Sequence, residues 1–151
     1  MRSLRKWIAG WLSGEPHFVI GDRYLLRWYV IPRNRFLNIY LHHFLHDDED
    51  RALHDHPWWF ISIMLRGGYA EVMSNGCAER HAPSVAYRNA EHAHRVMLFR
   101  NPFSNKVVDC WTLVITGRVV RDWGFYCPQG WRQWKLFTAP DNYGQTGRGC
   151  E

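Results

Sequence analysis

Residues 3–13 place Leu4, Trp7, Ile8 and Trp11 at helical spacing, with Arg5 and Lys6 off that stripe. The pattern predicts a short amphipathic helix packed across one end of the domain. Attachment to a membrane surface is the alternative use of such a stripe. Gly14, Glu15 and Pro16 end it. From there the pattern is that of strands. Residues 23–31 (RYLLRWYVI) and 36–45 (FLNIYLHHFL) are rich in aromatic and β-branched side chains, and Pro32 stops the first. Residues 46–51 form a polar, acidic turn. Residues 53–65 read as a third strand, interrupted by Pro57, which cannot donate to a ladder and so marks an edge or a bulge. Gly67 and Gly68 predict a tight hairpin turn with residues 69–73 returning, and Ser74, Asn75 and Gly76 predict another. Strands follow at Ser84–Arg88, 93–99, Cys110–Thr116 and 119–126. Short strands separated by turns at this spacing predict an all-β sandwich or barrel. The expected organisation is a helix and linker over 1–16, one β-domain over 17–138 and a flexible tail over 139–151.

Composition narrows the class. With 46% hydrophobic and 22% charged residues in 151, the chain is one globular domain and not a disordered one. Nine Trp, seven Tyr and eight Phe let a small domain build a dense core and still line a pocket or an interface. The formal charge of +5 is concentrated: residues 1–35 carry seven Lys or Arg against Glu15 and Asp22. No basic run exceeds two residues, so a solubilising surface is the favoured reading and nucleic acid the less favoured one. Cys77, Cys110, Cys127 and Cys150 form no CxxC and read as free thiols in a reducing cytoplasm. Residues 7–12 are too short and glycine-broken for a signal peptide, and no apolar run reaches the ~20 residues of a membrane helix. Trp123, Phe125, Tyr126, Trp131 and Trp134, interleaved with Arg121 and Arg132, read as core or as a homodimer contact; stacking on bases is the alternative.

Nine histidines bring in chemistry. His54 and His56 are two residues apart on an expected strand and so project to one side, where two imidazoles can chelate one ion. His94, at the start of a later strand, supplies a third ligand from across the barrel, with His92 as its rival. Neutral imidazole suits Fe, Mn, Co, Ni, Cu and Zn. Asp55 points the other way and reads as a surface group or as a partner of a ligand. On the second strand Tyr40, His42 and Phe44 share one face, and Leu41 and His43 the other. If the first face is inward, His42 is available for acid–base work. Arg27 offers a fork for a carboxylate or phosphate.

The segment HDHPWWFISIMLRGGYAE (His54 to Glu71), with Pro83 to Tyr87 and then Ala93, His94, Arg95 and Val96, resembles the two motifs of the cupin superfamily. Its layout is most similar to that of the thiol dioxygenases of the cysteine dioxygenase type. The resemblance spans about residues 24–117. It implies a jelly-roll β-barrel holding one divalent transition metal on His54, His56 and His94, with Fe(II) first and Zn, Ni, Mn or Co as alternatives. It implies Arg27 as the group that meets a substrate carboxylate, Phe44 and Trp58 as pocket walls, and Tyr40 or His42 for protons. Two departures stand out. Phe60 and Ile61 fill the places where many cupins carry a glutamate ligand, and Thr112, Val114 and Thr116 fill the strand where a Ser–His–Tyr relay would sit. A second similarity, to small cupin-like proteins of bacteriophages and prophages, rests on HDHPWW and on Trp123, Phe125, Gly130 and Trp131. The expected function is a metal-dependent, dioxygenase-like protein acting on a small polar or anionic molecule. The alternatives are a non-catalytic metal or ligand binder and a phage-type accessory protein acting on nucleotides or a host factor.

Overall fold

The computed structural model describes residues 2–21, 23–47, 52–139 and 145–151. Helix α1 (Arg2–Ser13) comes first. The indole N–H groups of Trp7 and Trp11 both donate to the Tyr29 carbonyl, at 2.6 and 2.9 Å, and hold the helix against the barrel wall. Leu4, Ile8 and Leu12 on the same stripe stay exposed.

Twelve strands then build two six-stranded antiparallel sheets: β1 (Phe18–Ile20), β2 (Leu25–Tyr29), β3 (Asn38–Phe44), β4 (Leu53–His54), β5 (Phe60–Arg66), β6 (Gly68–Met73), β7 (Gly76–His81), β8 (Ser84–Arg88), β9 (His94–Leu98), β10 (Cys110–Thr116), β11 (Gly124–Cys127) and β12 (Gly130–Gln133). The first sheet runs β1-β2-β3-β10-β5-β8 and the second β12-β11-β4-β9-β6-β7. The sheets face each other as a jelly-roll barrel. Met64 and Cys110 from the first sheet meet Tyr69, Val96 and Leu98 from the second between them. A second cluster of Tyr40, Phe60 and Val114 fills the inner side of the first sheet.

Cys110–Thr116 and Ser84–Arg88 form where the pattern predicts them. The expected third strand is two strands in different sheets, because Pro57 breaks the ladder and the chain crosses over between His54 and Phe60. Gly67 is likewise a crossing and not a hairpin turn: β5 pairs with β8 and β10, whereas β6 pairs with β7 and β9. Its φ of 73° and the Asp109 carbonyl, 2.6 Å from where a Cβ would lie, explain why glycine stands there. Of the strand expected over 119–126 only the end forms, as β11, and β7, β12 and helix α2 (Trp134–Phe137) had no clear signal. Most of the acidic turn, residues 48–51, lies outside the described residues.

The described tail residues are fastened, where a loose tail was expected. β13 (Thr138–Ala139) pairs with β14 (Gln145–Thr146), and Cys127 is bonded to Cys150. The reading of four free thiols is therefore corrected to two, Cys77 and Cys110. Sequence gave no sign of this pairing because the partners meet only after β11 and the tail fold together. Phe125, Phe137 and Ala52 form a small third core beneath the bridge with Trp123 and Trp134 packed against it, while Tyr126 and Trp131 stay 42% and 41% exposed.

Candidate metal centre

His54 lies at the centre of its sheet, paired with His94 of β9 on one side and Phe125 of β11 on the other. His56 follows in extended chain whose N–H donates to the Ala90 carbonyl. One nitrogen from each of His54, His56 and His94 lies within 4.8 Å of the others. The Nε2 atoms of His56 and His94 are 2.9 Å apart, the spacing of two neighbouring ligands each about 2.1 Å from one ion.

The donor chemistry fits a metal. Nδ1 of His94 donates to Oε1 of Glu71 at 2.9 Å, which fixes the tautomer and leaves the Nε2 lone pair directed at His56. Burial, and then the neighbouring His54 and His94, hold His56 well below the ordinary histidine range. Burial lowers His94 to about 4, against the opposing pull of Glu71. Both rings are thus neutral at pH 7, as ligands must be.

A stability prediction follows for the metal-free protein. Unfolded chain takes up a proton on this histidine below about pH 6.5, while the folded form refuses it down to about pH 4. The folded pKa is depressed, so its contribution is intact above about pH 6.5 and is lost as pH falls toward 4. At 1.36 kcal/mol per unit, His94 alone removes about 3 kcal/mol over that window. Urea unfolding at stepwise pH measures this. A midpoint that is flat between pH 6.5 and 4 would contradict it.

Glu71 is the hub behind the ligands. Its carboxylate, 2% exposed, accepts from His94, from His92 Nε2 at 3.0 Å, from Arg80 Nε at 3.2 Å and from Arg88 through both Nε and Nη2. Burial alone would raise its pKa, but bonds from His94 and Arg88 outweigh that and hold it far below the carboxylate range. Since Glu71 belongs to the second sheet and Arg88 to the first, this ion pair also ties the two sheets together. Glu71, His92 and His94 form a second group of potential ligand atoms. Two guanidinium groups already occupy that carboxylate, and a cation placed there would meet them. His92 therefore serves Glu71, and His94 is the histidine that joins His54 and His56.

These three rings open on a cavity of about 120 Å³ between the sheets. Tyr40, His42 and Phe44 do face inward and line it, together with Arg27, Trp58 and Phe60. Leu41 and His43 face out, and His43 Nε2 meets Asp109 at 2.7 Å. Phe60 stands 4.8 Å from His56, ring to ring, where a glutamate ligand would have been. Thr112, Val114 and Thr116 also face the cavity, so that strand presents no histidine or tyrosine there. Arg27 Nε donates to His42 Nε2 at 2.8 Å, and its guanidinium lies 4.6 Å over the Tyr40 ring. Burial, and then Arg27, lower the His42 pKa well below its usual value. Burial lowers Arg27 as well. Among the described residues no carboxylate pairs with it.

Asp55, between the two ligands, is neither a surface group nor a partner of their rings. It is fully buried and accepts from Arg121 Nη1 at 2.6 Å, Gly124 N–H at 2.8 Å, Trp131 Nε1 at 3.1 Å and Tyr126 O–H at 3.2 Å. The turn carrying His54 and His56 is thereby stitched to the β11–β12 hairpin. Its placement between two candidate ligands was visible in sequence; its four donors, 66 to 76 residues away, were not.

No family model matches the chain. No curated protein matches it in sequence. Solved structures do resemble it. A cupin superfamily protein from Desulfitobacterium hafniense is 13% identical, covering 68% of this chain and 84% of its own, with a TM-score of 0.50. The polyketide cyclase RemF from Streptomyces resistomycificus is 13% identical, covering 68% of this chain and 75% of its own, with a TM-score of 0.51. The DMSP lyase DddQ from Ruegeria pomeroyi is 14% identical over 72% of this chain and 54% of its own, with a TM-score of 0.54, so the chain spans about half of that protein. At such identities the likeness establishes the fold and nothing beyond it.

Proposed function

We propose that this chain, which has the cupin fold, holds one divalent transition metal on His54, His56 and His94 and uses it on a small polar or anionic molecule bound in the cavity. The observation that carries the reading is the convergence of three cavity-wall imidazoles, one of them oriented through Nδ1 by a buried carboxylate. Fe(II) is the proposed ion, with Zn, Ni, Mn or Co as substitutes, and the proposed reaction class is that of a thiol-dioxygenase-like oxygenase. When bound, such an ion supplies open coordination positions and Lewis acidity.

The chain's own groups do the rest. Arg27 leaves the cavity electropositive, which favours a carboxylate or phosphate. His42 accepts from Arg27 through Nε2, so its neutral ring carries its proton on Nδ1 and its first duty is to align the guanidinium. Tyr40 supports the same guanidinium from below and is the proposed proton-handling hydroxyl. Phe44, Trp58 and Phe60 exclude water from the walls. The proposed setting is the cytoplasm, where the Cys127–Cys150 bridge is open to reduction. No helix of the described residues is long and apolar enough to cross a membrane. The proposed working form is a homodimer.

The experiment is metal analysis of untagged protein, followed by oxygen uptake with small thiols that carry a carboxylate and with thiols that do not. Stoichiometric iron and uptake specific to the anionic thiols are the expected results. Arg27→Met should raise KM for those substrates roughly tenfold to a hundredfold, the worth of a hydrogen bond to a charged group. Protein that holds no metal would overturn the reading. A second reading, a cupin that binds metal and ligand without catalysis, is favoured by Thr112, Val114 and Thr116 facing the cavity in place of a relay. Metal-bound protein without uptake would select it.

A further inference from the structure

We propose that helix α1 and the loop between β2 and β3 form a docking face for an anionic phospholipid bilayer. This rests on no part of the metal reading. The apolar stripe of α1 is divided between two uses. Trp7 and Trp11 turn to the barrel, where their indoles donate to the Tyr29 carbonyl. His17 completes the attachment. Its Nδ1 accepts from the Tyr29 N–H at 3.2 Å, so its proton sits on Nε2 and goes to the Trp7 carbonyl at 2.9 Å. Gly10 lies against the same ring, where a Cβ would stand 2.6 Å from Nε2. These contacts fix the rotation of the helix about its axis. Leu4, Ile8 and Leu12, each four residues from the next, are left as an exposed apolar row, with Leu12 83% exposed. Arg5, seven residues before Leu12, borders that row, and Lys6 is exposed beside it in sequence.

The loop leaves the sheet at the same end. β2 stops at Tyr29 and β3 begins at Asn38, and the Val30 N–H donates to the Ile39 carbonyl at 2.8 Å. Two asparagines build the turn. Asn34 Oδ1 accepts from the N–H groups of Phe36 and Leu37, and its Nδ2 donates to the Leu37 carbonyl. The Asn38 side chain takes up both the N–H and the carbonyl of Asn34. Phe36, 66% exposed, is thus held outward on backbone that is already ordered, so inserting it carries no loop-ordering cost. The Arg35 guanidinium lies 4.8 Å from the centre of its ring, and Arg33 is exposed two residues earlier. Charge selects the occupant. Glu15 and Asp22 are the only acidic residues among the first 46. Arg5, Lys6, Arg33 and Arg35 are exposed, and among the described residues none of them pairs with a carboxylate. A second copy would set these cations against their own likes. A nucleic acid would use the cations and leave Leu12 and Phe36 without an apolar partner. A bilayer with anionic headgroups takes both, the cations among the phosphates and the apolar side chains at the acyl boundary.

Co-sedimentation of the full chain with lipid vesicles tests this. Vesicles of phosphatidylcholine with phosphatidylserine should bind it at least ~10-fold more tightly than phosphatidylcholine alone. Binding should fall away at about 1 M salt, where the Debye length is about 3 Å. Leu12→Asp with Phe36→Asp, at exposed positions, should weaken it at least ~30-fold. Arg33→Gln with Arg35→Gln, which leaves the apolar side chains in place, should weaken it about 30-fold, roughly fivefold for each charge. Phe103→Asp should leave it unchanged: Phe103 is 97% exposed but lies in the loop before Cys110, whose strand partner is Phe44 at the far end of β3. No binding to the anionic vesicles would overturn the proposal. So would equal binding by both double variants, or self-association of the wild-type chain that Leu12→Asp with Phe36→Asp abolishes in the absence of lipid.

Discussion

Replacing His94 with alanine is expected to abolish metal binding, with metal content dropping below about a tenth of an ion per chain. Loss of a group that merely orients a ligand costs ten- to a hundredfold in affinity, so loss of the ligand itself should exceed ~10³-fold. His94 has the central position: its Nε2 faces His56 at 2.9 Å, its strand partner is His54, and its Nδ1 is anchored to Glu71. The two neighbours on that network set the scale. Glu71→Gln keeps an acceptor for Nδ1–H but surrenders the charge, and should fall in the ten- to hundredfold range. His92→Ala removes a donor to Glu71 without touching the three-histidine group, and should cost least. Titration of apo protein with Fe(II) and Zn(II) measures all three. A larger loss in His92→Ala than in His94→Ala would reverse the ligand assignment.

Asp55→Ala should cost about 2–3 kcal/mol of stability, the scale of leaving a buried donor unsatisfied and removing hydrogen bonds to a charged acceptor. Arg121 would lose its anion, and the N–H of Gly124, the indole of Trp131 and the hydroxyl of Tyr126 would lose their acceptor. Gly124 is buried, so its N–H is left without an acceptor, whereas Tyr126 and Trp131, 42% and 41% exposed, can turn to water. Urea unfolding measures the loss. Because β11 pairs directly with His54, weaker metal binding should accompany it. Asp55→Asn, which retains one acceptor oxygen, should lie between. A loss below about 1 kcal/mol in Asp55→Ala would mean that the hairpin holds without its carboxylate.

The sequence alone carried the local and periodic features. Alternation along β3 and β10, and the two-residue spacing of His54 and His56, follow from backbone geometry that neighbours cannot alter, so the all-β class and the candidate ligand set were legible in outline. It could not decide between the two faces of β3, because each carries a histidine among apolar or aromatic residues; an alternation rule needs one face to be distinctly polar. The structure resolved that by burying Tyr40 and His42 against Arg27 while Leu41 and His43 face out. Contacts across long sequence distance were invisible for a different reason. Arg88 to Glu71, the four donors of Asp55, the crossings at Pro57 and Gly67, and the joining of Cys127 to Cys150 each depend on how the two sheets and the late hairpin close on one another. No spacing along the chain encodes that closure; only the packed core, which brings those segments within hydrogen-bond reach, decides it.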